Sequence, residues 1–142
     1  MFLEKGKIEP GKRIGDFVIN SKKVDNIIIA GKPIEKNVNK IGTCTYIYDN
    51  YMLWFDEQGL LKQVAVTKGF LDGFNGIHIG STVQDLLNRF GTYGVDEFYV
   101  IYYIPEIEGI SFGIEDVGDE DDDEWDELAA PIEWIYVYRV KD

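Results

Sequence analysis

Few side chains in this sequence could combine into a catalytic or metal-binding group. Histidine occurs only at His78 and cysteine only at Cys44. With no second histidine and a single cysteine, zinc sites and Cys–His nucleophile pairs are excluded. Residues 73–76, Gly-Phe-Asn-Gly, lack the lysine and the spacing of a phosphate-binding loop. We therefore expect no enzyme activity, no catalytic residue and no cofactor, with catalysis by carboxylates alone as a minor alternative.

An acidic segment near the carboxyl end, residues 115–128, is the strongest local feature. Asp119, Asp121 and Asp123 imitate the first three ligands of a calcium loop. However, Glu124 stands where such a loop requires glycine, and Ala130 stands where it requires glutamate. We therefore expect loose attraction of cations rather than a specific metal site.

A tryptophan lies inside this acidic segment. Solubility does not require Trp125, and a tryptophan surrounded by polar groups is a favoured interface anchor. Packing of Trp125 and Leu128 on the sheet edge is the competing explanation, and a solvated hairpin loop is the alternative for the whole segment. The predicted partner-binding residues form one run: Asp119, Glu120, Asp121, Asp122, Asp123, Glu124, Trp125, Asp126 and Glu127.

Charge is distributed unevenly between the two halves of the chain. Residues 1–68 hold 11 of the 14 basic groups and 8 acidic ones, a net charge of +3. Residues 69–142 hold 3 basic and 18 acidic groups, a net charge of −15. Such an acidic surface repels phosphate backbones, so we expect no direct nucleic-acid binding. The same field would attract a cationic protein, although net charge can also serve solubility alone.

The elements that must position these residues repeat along the chain. Residues 18–27 return sixty positions later as residues 78–87, with matches at Ile19/Ile79, Ser21/Ser81, Asp25/Asp85 and Gly31/Gly91. Each copy predicts a short strand that includes His78 in the second half, a helix capped by the serine, and an exit at the glycine. Val83, Leu86, Leu87 and Phe90 share one face of the second helix, which should be buried against a sheet. The Ile27–Ile29 run of the first helix could equally form a strand.

Three predicted strands follow each helix. In the first half they are residues 44–48, 51–55 and 60–66, with a type I turn at residues 56–59 closed by a left-handed Gly59. In the second half they are residues 98–103, 110–114 and 132–138, with an insertion at about residues 116–131. We therefore predict an α+β fold in which a tandem duplication, residues 10–68 and 69–142, packs two helices on one face of a largely antiparallel sheet.

Length and composition favour one domain over residues 1–142. The chain is 45% apolar and 14% aromatic, which excludes disorder for most of it and favours strands. A single cysteine fits a reducing compartment. Neither a secretion signal nor a membrane-length apolar run is visible, so we expect a cytoplasmic protein without membrane contact.

Three stretches together resemble a known class of proteins: residues 10–17 (Pro-Gly-Lys-Arg-Ile-Gly-Asp-Phe), residues 77–83 (Ile-His-Ile-Gly-Ser-Thr-Val) and the ending at residues 124–133. They resemble small bacterial immunity proteins encoded beside polymorphic or contact-dependent toxins. The helix-plus-hairpin duplication is also similar in plan to the β-lactamase inhibitor protein. This chain lacks the paired cysteines of that inhibitor, so the similarity is architectural and no functional residue is transferred.

The resemblance implies a protein that binds one cognate toxin and blocks it. Many such toxins are cationic nucleases, and carboxylates placed where phosphates bind would exclude their substrate. We therefore expect a stoichiometric toxin inhibitor that acts through the acidic segment. The alternative is a non-catalytic binding or assembly module, in which the exposed aromatic sheet pairs two copies as a homodimer.

Overall fold

The computed structural model describes residues 2–96, 101–114 and 126–140. It is a mixed α+β structure in which the described strands pair antiparallel. Two α-helices occur in this part of the chain, α1 (Lys23–Ala30) and α2 (Val83–Phe90), with a short 3-10 helix at Glu127–Ala129. The strands are β1 (Ile8–Glu9), β2 (Arg13–Ile14), β3 (Phe17–Val18), β4 (Glu35–Val38), β5 (Cys44–Ile47), β6 (Tyr51–Phe55), β7 (Leu61–Val66), β8 (Gly73–Phe74), β9 (Ile77–His78), β10 (Gly94–Asp96), β11 (Ile101–Ile104), β12 (Ile107–Ile114) and β13 (Ile132–Tyr138).

One large sheet contains strands from both halves of the chain. Its eight strands lie in the order β10-β11-β12-β13-β7-β6-β5-β4. The halves meet where β13 pairs antiparallel with β7, in a register that sets Ile135 beside Val66 and Val137 beside Val64. The small sheets β1-β2-β3 and β8-β9 lie outside this ladder.

The two faces of the large sheet differ in burial. Because side chains alternate along a strand, the register aligns one buried row across five strands: Tyr46, Leu53, Val64, Val137 and Ile110. These residues belong to a single core cluster that also includes Phe17, Ala30, Val83 and Leu86 from outside the large sheet. We call this side of the sheet the core face and the opposite side the open face.

Sequence predicted the long strands well and missed the short ones. The strands predicted over residues 44–48, 51–55, 60–66 and 132–138 are observed with shifts of one residue at most. The prediction of three strands in each half is wrong, because β4 and β10 add a fourth strand to each side of the large sheet. The strand predicted over residues 98–103 is observed as β11 from Ile101 onward, and residues 98–100 lie outside the described residues. The strand predicted over residues 110–114 is observed as the longer β12, which starts at Ile107.

The predicted serine caps are wrong by one residue. Thr82 caps α2, and its hydroxyl accepts a hydrogen bond from the backbone N–H of Asp85 while the Asp85 carboxylate accepts one from the N–H of Thr82. Lys22 occupies the same position of α1 and makes no side-chain cap. The serines stabilise the preceding turns instead: Ser21 Oγ donates to the Val18 carbonyl, and Ser81 Oγ accepts from the His78 N–H.

Helix α1 turns much of its apolar surface outward. Its buried residues are Asn26 and Ala30, whereas Val24 and Ile28 are exposed. The Asn26 amide donates to Ser21 Oγ and to the Lys22 carbonyl, both at 2.8 Å. The alternative strand for the Ile27–Ile29 run is therefore wrong, and the helix exits at Gly31 with a φ of 77°, as the glycine predicted.

The same backbone hydrogen bonds tie each helix start to the large sheet. Asn20 N–H donates to Leu61 O and Leu61 N–H donates to Ser21 O, at 2.7 and 2.9 Å. Sixty positions later, Gly80 N–H donates to Ile132 O and Ile132 N–H donates to Ser81 O, at 2.9 and 2.7 Å. Asn20 and Gly80 both adopt a positive φ, which asparagine tolerates better than most residues.

Candidate functional site

Most of the predicted acidic site lies outside the described residues. Seven of its nine members, Asp119 to Trp125, fall there, and the described members are Asp126 and Glu127. Asp126 is exposed, and its carboxylate accepts a hydrogen bond from the Leu128 N–H at 3.2 Å, which caps the 3-10 helix. This short helix, Glu127–Ala129, directly precedes Ala130 and Pro131.

Glu127 is held by tyrosines of the second half. The Tyr102 hydroxyl donates to Glu127 Oε1 at 2.6 Å, and the ring of Tyr93 lies 5.4 Å from the ring of Tyr102. Burial raises the pKa of Tyr93, as do the charge of Glu127 and a hydrogen bond with it. The carboxylate of Glu127 is therefore engaged within the chain, and the exposed carboxylate of this described pair is that of Asp126.

The open face of the large sheet carries a second set of candidate binding residues. Register places Met52, Ala65, Tyr136, Ser111 and Tyr103 in one row across five strands. Most large side chains on this face are partly exposed, whereas those of the core face row are almost fully buried. We define the aromatic face by its large side chains: Met52, Trp54, Tyr103, Trp134, Tyr136 and Tyr138.

Tyr136 lies at the centre of the aromatic face. Its ring centroid is 6.3 Å from that of Trp54 and 6.2 Å from that of Trp134, and it stacks on Trp134 at an interplanar angle of 21°. A Cβ at Gly113 would lie 3.0 Å from Tyr136 Cε2, so the absence of a side chain there lets the tyrosine lie across β12. Burial raises the pKa of Tyr136, so its hydroxyl is neutral at physiological pH.

A shallow cavity of about 360 Å³ lies at one end of this face, between Trp54, Gln63, Tyr138 and Arg139. Arg139 Nη2 lies 2.8 Å from Asp56 Oδ2. Burial would raise the pKa of Asp56, but hydrogen bonds from Leu60, Arg139 and Gln58 outweigh it and hold this pKa below its ordinary value. The ion pair fixes a guanidinium beside the rings.

The remaining sequence candidates do not assemble into a site. His78 is exposed, and its Nδ1 lies 2.8 Å from the Ile79 carbonyl oxygen. Cys44 is a buried free thiol on the core face. Within residues 2–96, 101–114 and 126–140, no group of three or more His, Cys, Asp or Glu side chains could hold a metal ion.

No helix in the described part of the chain is both long enough and apolar enough to cross a membrane. Comparisons of this chain with protein-family models, with curated proteins and with solved structures found no match.

Sequence reasoning named an exposed aromatic sheet as a dimer surface but did not identify its residues. The signal was present as alternate large residues, Met52 and Trp54 in β6 and Trp134, Tyr136 and Tyr138 in β13. Both sets of alternating residues in β6 are large and apolar, so periodicity could not say which set faces solvent. Pairing of β6 with β7 and of β7 with β13 brings them together.

Proposed function

We propose that this protein is a non-catalytic inhibitor of another protein, a bacterial immunity protein that neutralises a cognate toxin in the cytoplasm. The observation that carries the proposal is the aromatic face, a row of partly exposed rings at the centre of the large sheet. Solvent-facing apolar patches of this kind commonly mark interaction surfaces. Sequence resemblance to immunity proteins supports the biological setting.

The chemistry of the aromatic face suits a protein partner. Tryptophan, tyrosine and arginine are the residues most often found at binding hot spots, because each buries a large area around a polar group. Trp54, Trp134, Tyr136 and Arg139 lie together here. The Trp54 and Trp134 rings flank Tyr136 and already restrict its rotamers, so little further conformational entropy is lost when a partner covers these rings.

Net charge supports a cationic partner such as a nuclease. The half from residue 69 onward carries −15, and its acidic run, Asp119 to Glu127, would steer a basic surface toward the inhibitor. In this proposal the acidic segment sets the association rate, and the aromatic face sets the lifetime of the complex. The carboxylates would occupy the place on the toxin where phosphates bind and would thereby exclude its nucleic-acid substrate.

A tandem duplication underlies this architecture in our proposal. Its support is the repetition of the helix-start hydrogen bonds at residues 20–23 and 80–83, with the same antiparallel order of four strands after each helix. The helices then cover the core face and leave the open face for the partner. Val83 and Leu86 of α2 and Ala30 of α1 belong to the core cluster, which is consistent with that placement.

The test is inhibition of the protein encoded by the neighbouring gene. We expect coexpression to protect cells, and a 1:1 complex to form. Trp54→Ala and Tyr136→Ala should each weaken binding by about thirtyfold, mostly through faster dissociation. Neutralising the eight carboxylates of residues 119–127 should slow association and flatten its salt dependence.

Leu71→Ala is the matched control, since Leu71 is an exposed apolar residue outside the aromatic face. It should bind like the wild type. Protection without loss of affinity in the Trp54 and Tyr136 variants would place the interface elsewhere. Failure of the neighbouring protein to bind, or turnover of a substrate by this chain, would contradict the inhibitor proposal.

A further inference from the structure

The large sheet ends, on the side of the amino-terminal half, in an edge strand whose residues are all exposed. Strand β4 pairs with β5 on one side and has no strand partner on the other within the described residues. An edge strand presents unpaired N–H and C=O groups to any strand that approaches it.

Alternation along β4 identifies the outward-facing backbone groups. Asn39 N–H donates to the Thr43 carbonyl at 2.9 Å, so this residue directs its backbone groups toward the β5 side. Because alternate residues of an antiparallel strand bond to the same neighbour, Asn37 and Glu35 also face β5. Lys36 and Val38 therefore direct their N–H and C=O groups outward.

Charge on an edge strand often blocks pairing, but the side chain of Lys36 is turned away from this edge. Its Nζ lies 5.6 Å from the centre of the Tyr46 ring, which belongs to β5. A cation over an aromatic face is held there electrostatically. This contact holds the ammonium away from the outward backbone groups of β4, but its charge still acts on a residue placed directly opposite Lys36.

We propose that β4 pairs antiparallel with β4 of a second copy of this chain, about a two-fold axis, to join the two large sheets into one. In the register that we assign, Lys36 lies opposite Val38 of the second copy and Asn37 lies opposite its own counterpart. The neighbouring registers that join outward-facing residues would set Lys36 against Lys36 or against Lys40. Like charges directly opposite each other are destabilising, which selects the assigned register.

Charge distribution favours this edge for contact between copies. Strand β4 lies in the half of net charge +3, and the other edge strand, β10, lies in the half of net charge −15. Pairing through β4 keeps the two acidic halves at opposite ends of the joined sheet. Pairing through β10 would bring them together.

The area that can be buried predicts a weak dimer. Three branched aliphatic residues on β4 or beside it in the chain, Ile34, Val38 and Ile41, are each 61–71% exposed. If full burial of such a side chain is worth about 1.5–3 kcal/mol at roughly 25 cal/mol per Å², their exposed parts offer on the order of 200 Å² of apolar surface. A standard interface takes about 800 Å² from each partner, so we expect a weak dimer whose population rises with protein concentration.

Two charge variants of one residue test the register. Val38→Glu places a carboxylate opposite Lys36 of the second copy, twice per dimer, and should tighten the dimer. Val38→Lys places two like charges there and should weaken it. Sedimentation equilibrium at 0.15 M salt should give dissociation constants that differ by roughly tenfold or more. Equal constants for the two variants would overturn the assigned register.

A proline tests the use of the edge itself. Val38→Pro removes one outward N–H and leaves the inward bonds of β4 intact, so it should give a monomer with an unchanged circular dichroism spectrum. Val38→Thr keeps that N–H and should remain dimeric. Tyr136→Ala should also remain dimeric, since the aromatic face is a separate surface.

Each remaining outcome would overturn this proposal. A wild-type chain that stays monomeric up to about 500 µM has no such dimer. A dimer that survives both Val38→Pro and Val38→Lys but is lost in Tyr136→Ala forms through the aromatic face. Toxin inhibition plays no part in these measurements, so the dimer and the proposed function can fail independently.

Discussion

The two helices occupy corresponding places in the chain, sixty positions apart, but they bury side chains of different polarity. At the position where α2 buries Leu86, which is 0% exposed, α1 buries Asn26, which is 1% exposed. Two residues further along, α1 presents Ile28, which is 77% exposed, where α2 has the exposed Asn88. Polar and apolar residues have thus exchanged sides between the helices.

The difference follows from what lies beside each helix. Helix α2 contacts the 3-10 helix at Glu127–Ala129, and Thr82 forms a bridge with Pro131. At the corresponding place in the first half, Lys22 bridges to Leu60, directly after the tight turn at residues 56–59. The longer connection gives α2 a neighbour on a second side, and the shorter one leaves the apolar residues of α1 in solvent. The same order of elements therefore buries the apolar face of α2 and leaves apolar residues of α1 exposed.

The largest predicted effect on stability is the difference between truncating Leu86, which is buried in α2, and truncating Ile28, which is exposed in α1. Leu86→Ala should cost about 2–5 kcal/mol of unfolding free energy, because it leaves a cavity in the core. Ile28→Ala should change this free energy by less than about 0.5 kcal/mol, because Ile28 packs little. Urea unfolding followed by circular dichroism measures both. Similar losses would show that α1 is packed as closely as α2.

The buried amide of α1 is the next largest contributor. Asn26→Ala removes hydrogen bonds to Ser21 and Lys22 and should cost about 1–3 kcal/mol. Asn88→Ala, which breaks an exposed bond with Gln84, serves as the control and should cost less than about 0.5 kcal/mol. The same urea titrations apply. An unaffected Asn26→Ala variant would mean that the polar residue is merely tolerated.

The residues at the starts of the two helices also differ, and exchanging them should change stability by a smaller amount. Thr82→Ala removes the capping box of α2 and should cost about 1 kcal/mol. Lys22→Thr places a cap residue three positions before Asp25 in α1, where the backbone is already extended, and should add about 0.5–1 kcal/mol. Thermal unfolding midpoints should move in opposite directions. No gain from Lys22→Thr would show that α1 starts differently from α2.

The smallest predicted effect concerns the tight turn of the first half and depends on pH. The folded-state pKa of Asp56 lies below its ordinary value. Its contribution to stability is therefore present above about pH 4 and is lost as pH falls through the folded-state pKa. Asp56→Asn should cost at most about 1 kcal/mol at pH 7 and nothing in strong acid. Urea titrations between pH 2 and 7 measure this effect, and Glu57→Gln, one residue away and exposed, controls for the loss of a surface charge at pH 7.

Local sequence signals were sufficient for the long strands and both helices. Strands β6 and β13 are rich in aromatic and branched residues and were predicted almost to the residue. Strand β4 was missed because Glu-Lys-Asn-Val has neither an alternating pattern nor strong strand formers. The cap residues were misplaced because a serine and the residue after it compete for that role, and only the backbone angles decide between them.

The candidate site was less predictable, because it depends on pairing between distant strands. Trp54 and Tyr136 are 82 positions apart and meet only through β7, which lies between their strands. The acidic segment was conspicuous in composition, yet the engagement of Glu127 by Tyr102 depends on the fold of both partners. The pairing and register of strands that are distant in the chain could not be predicted from this single sequence.

The position of β7 at the centre of the large sheet has a consequence for synthesis on the ribosome. Strand β7 pairs with β13, whose residues emerge about seventy positions later. At ordinary translation rates this delay is roughly 4–14 s. Throughout that interval the side of β7 that pairs with β13 has no strand partner in the chain made so far, although Val64 and Val66 are fully buried in the finished protein. The nascent first half is therefore a natural client for chaperones that bind extended apolar segments, and truncation before Ile132 should leave an aggregating product.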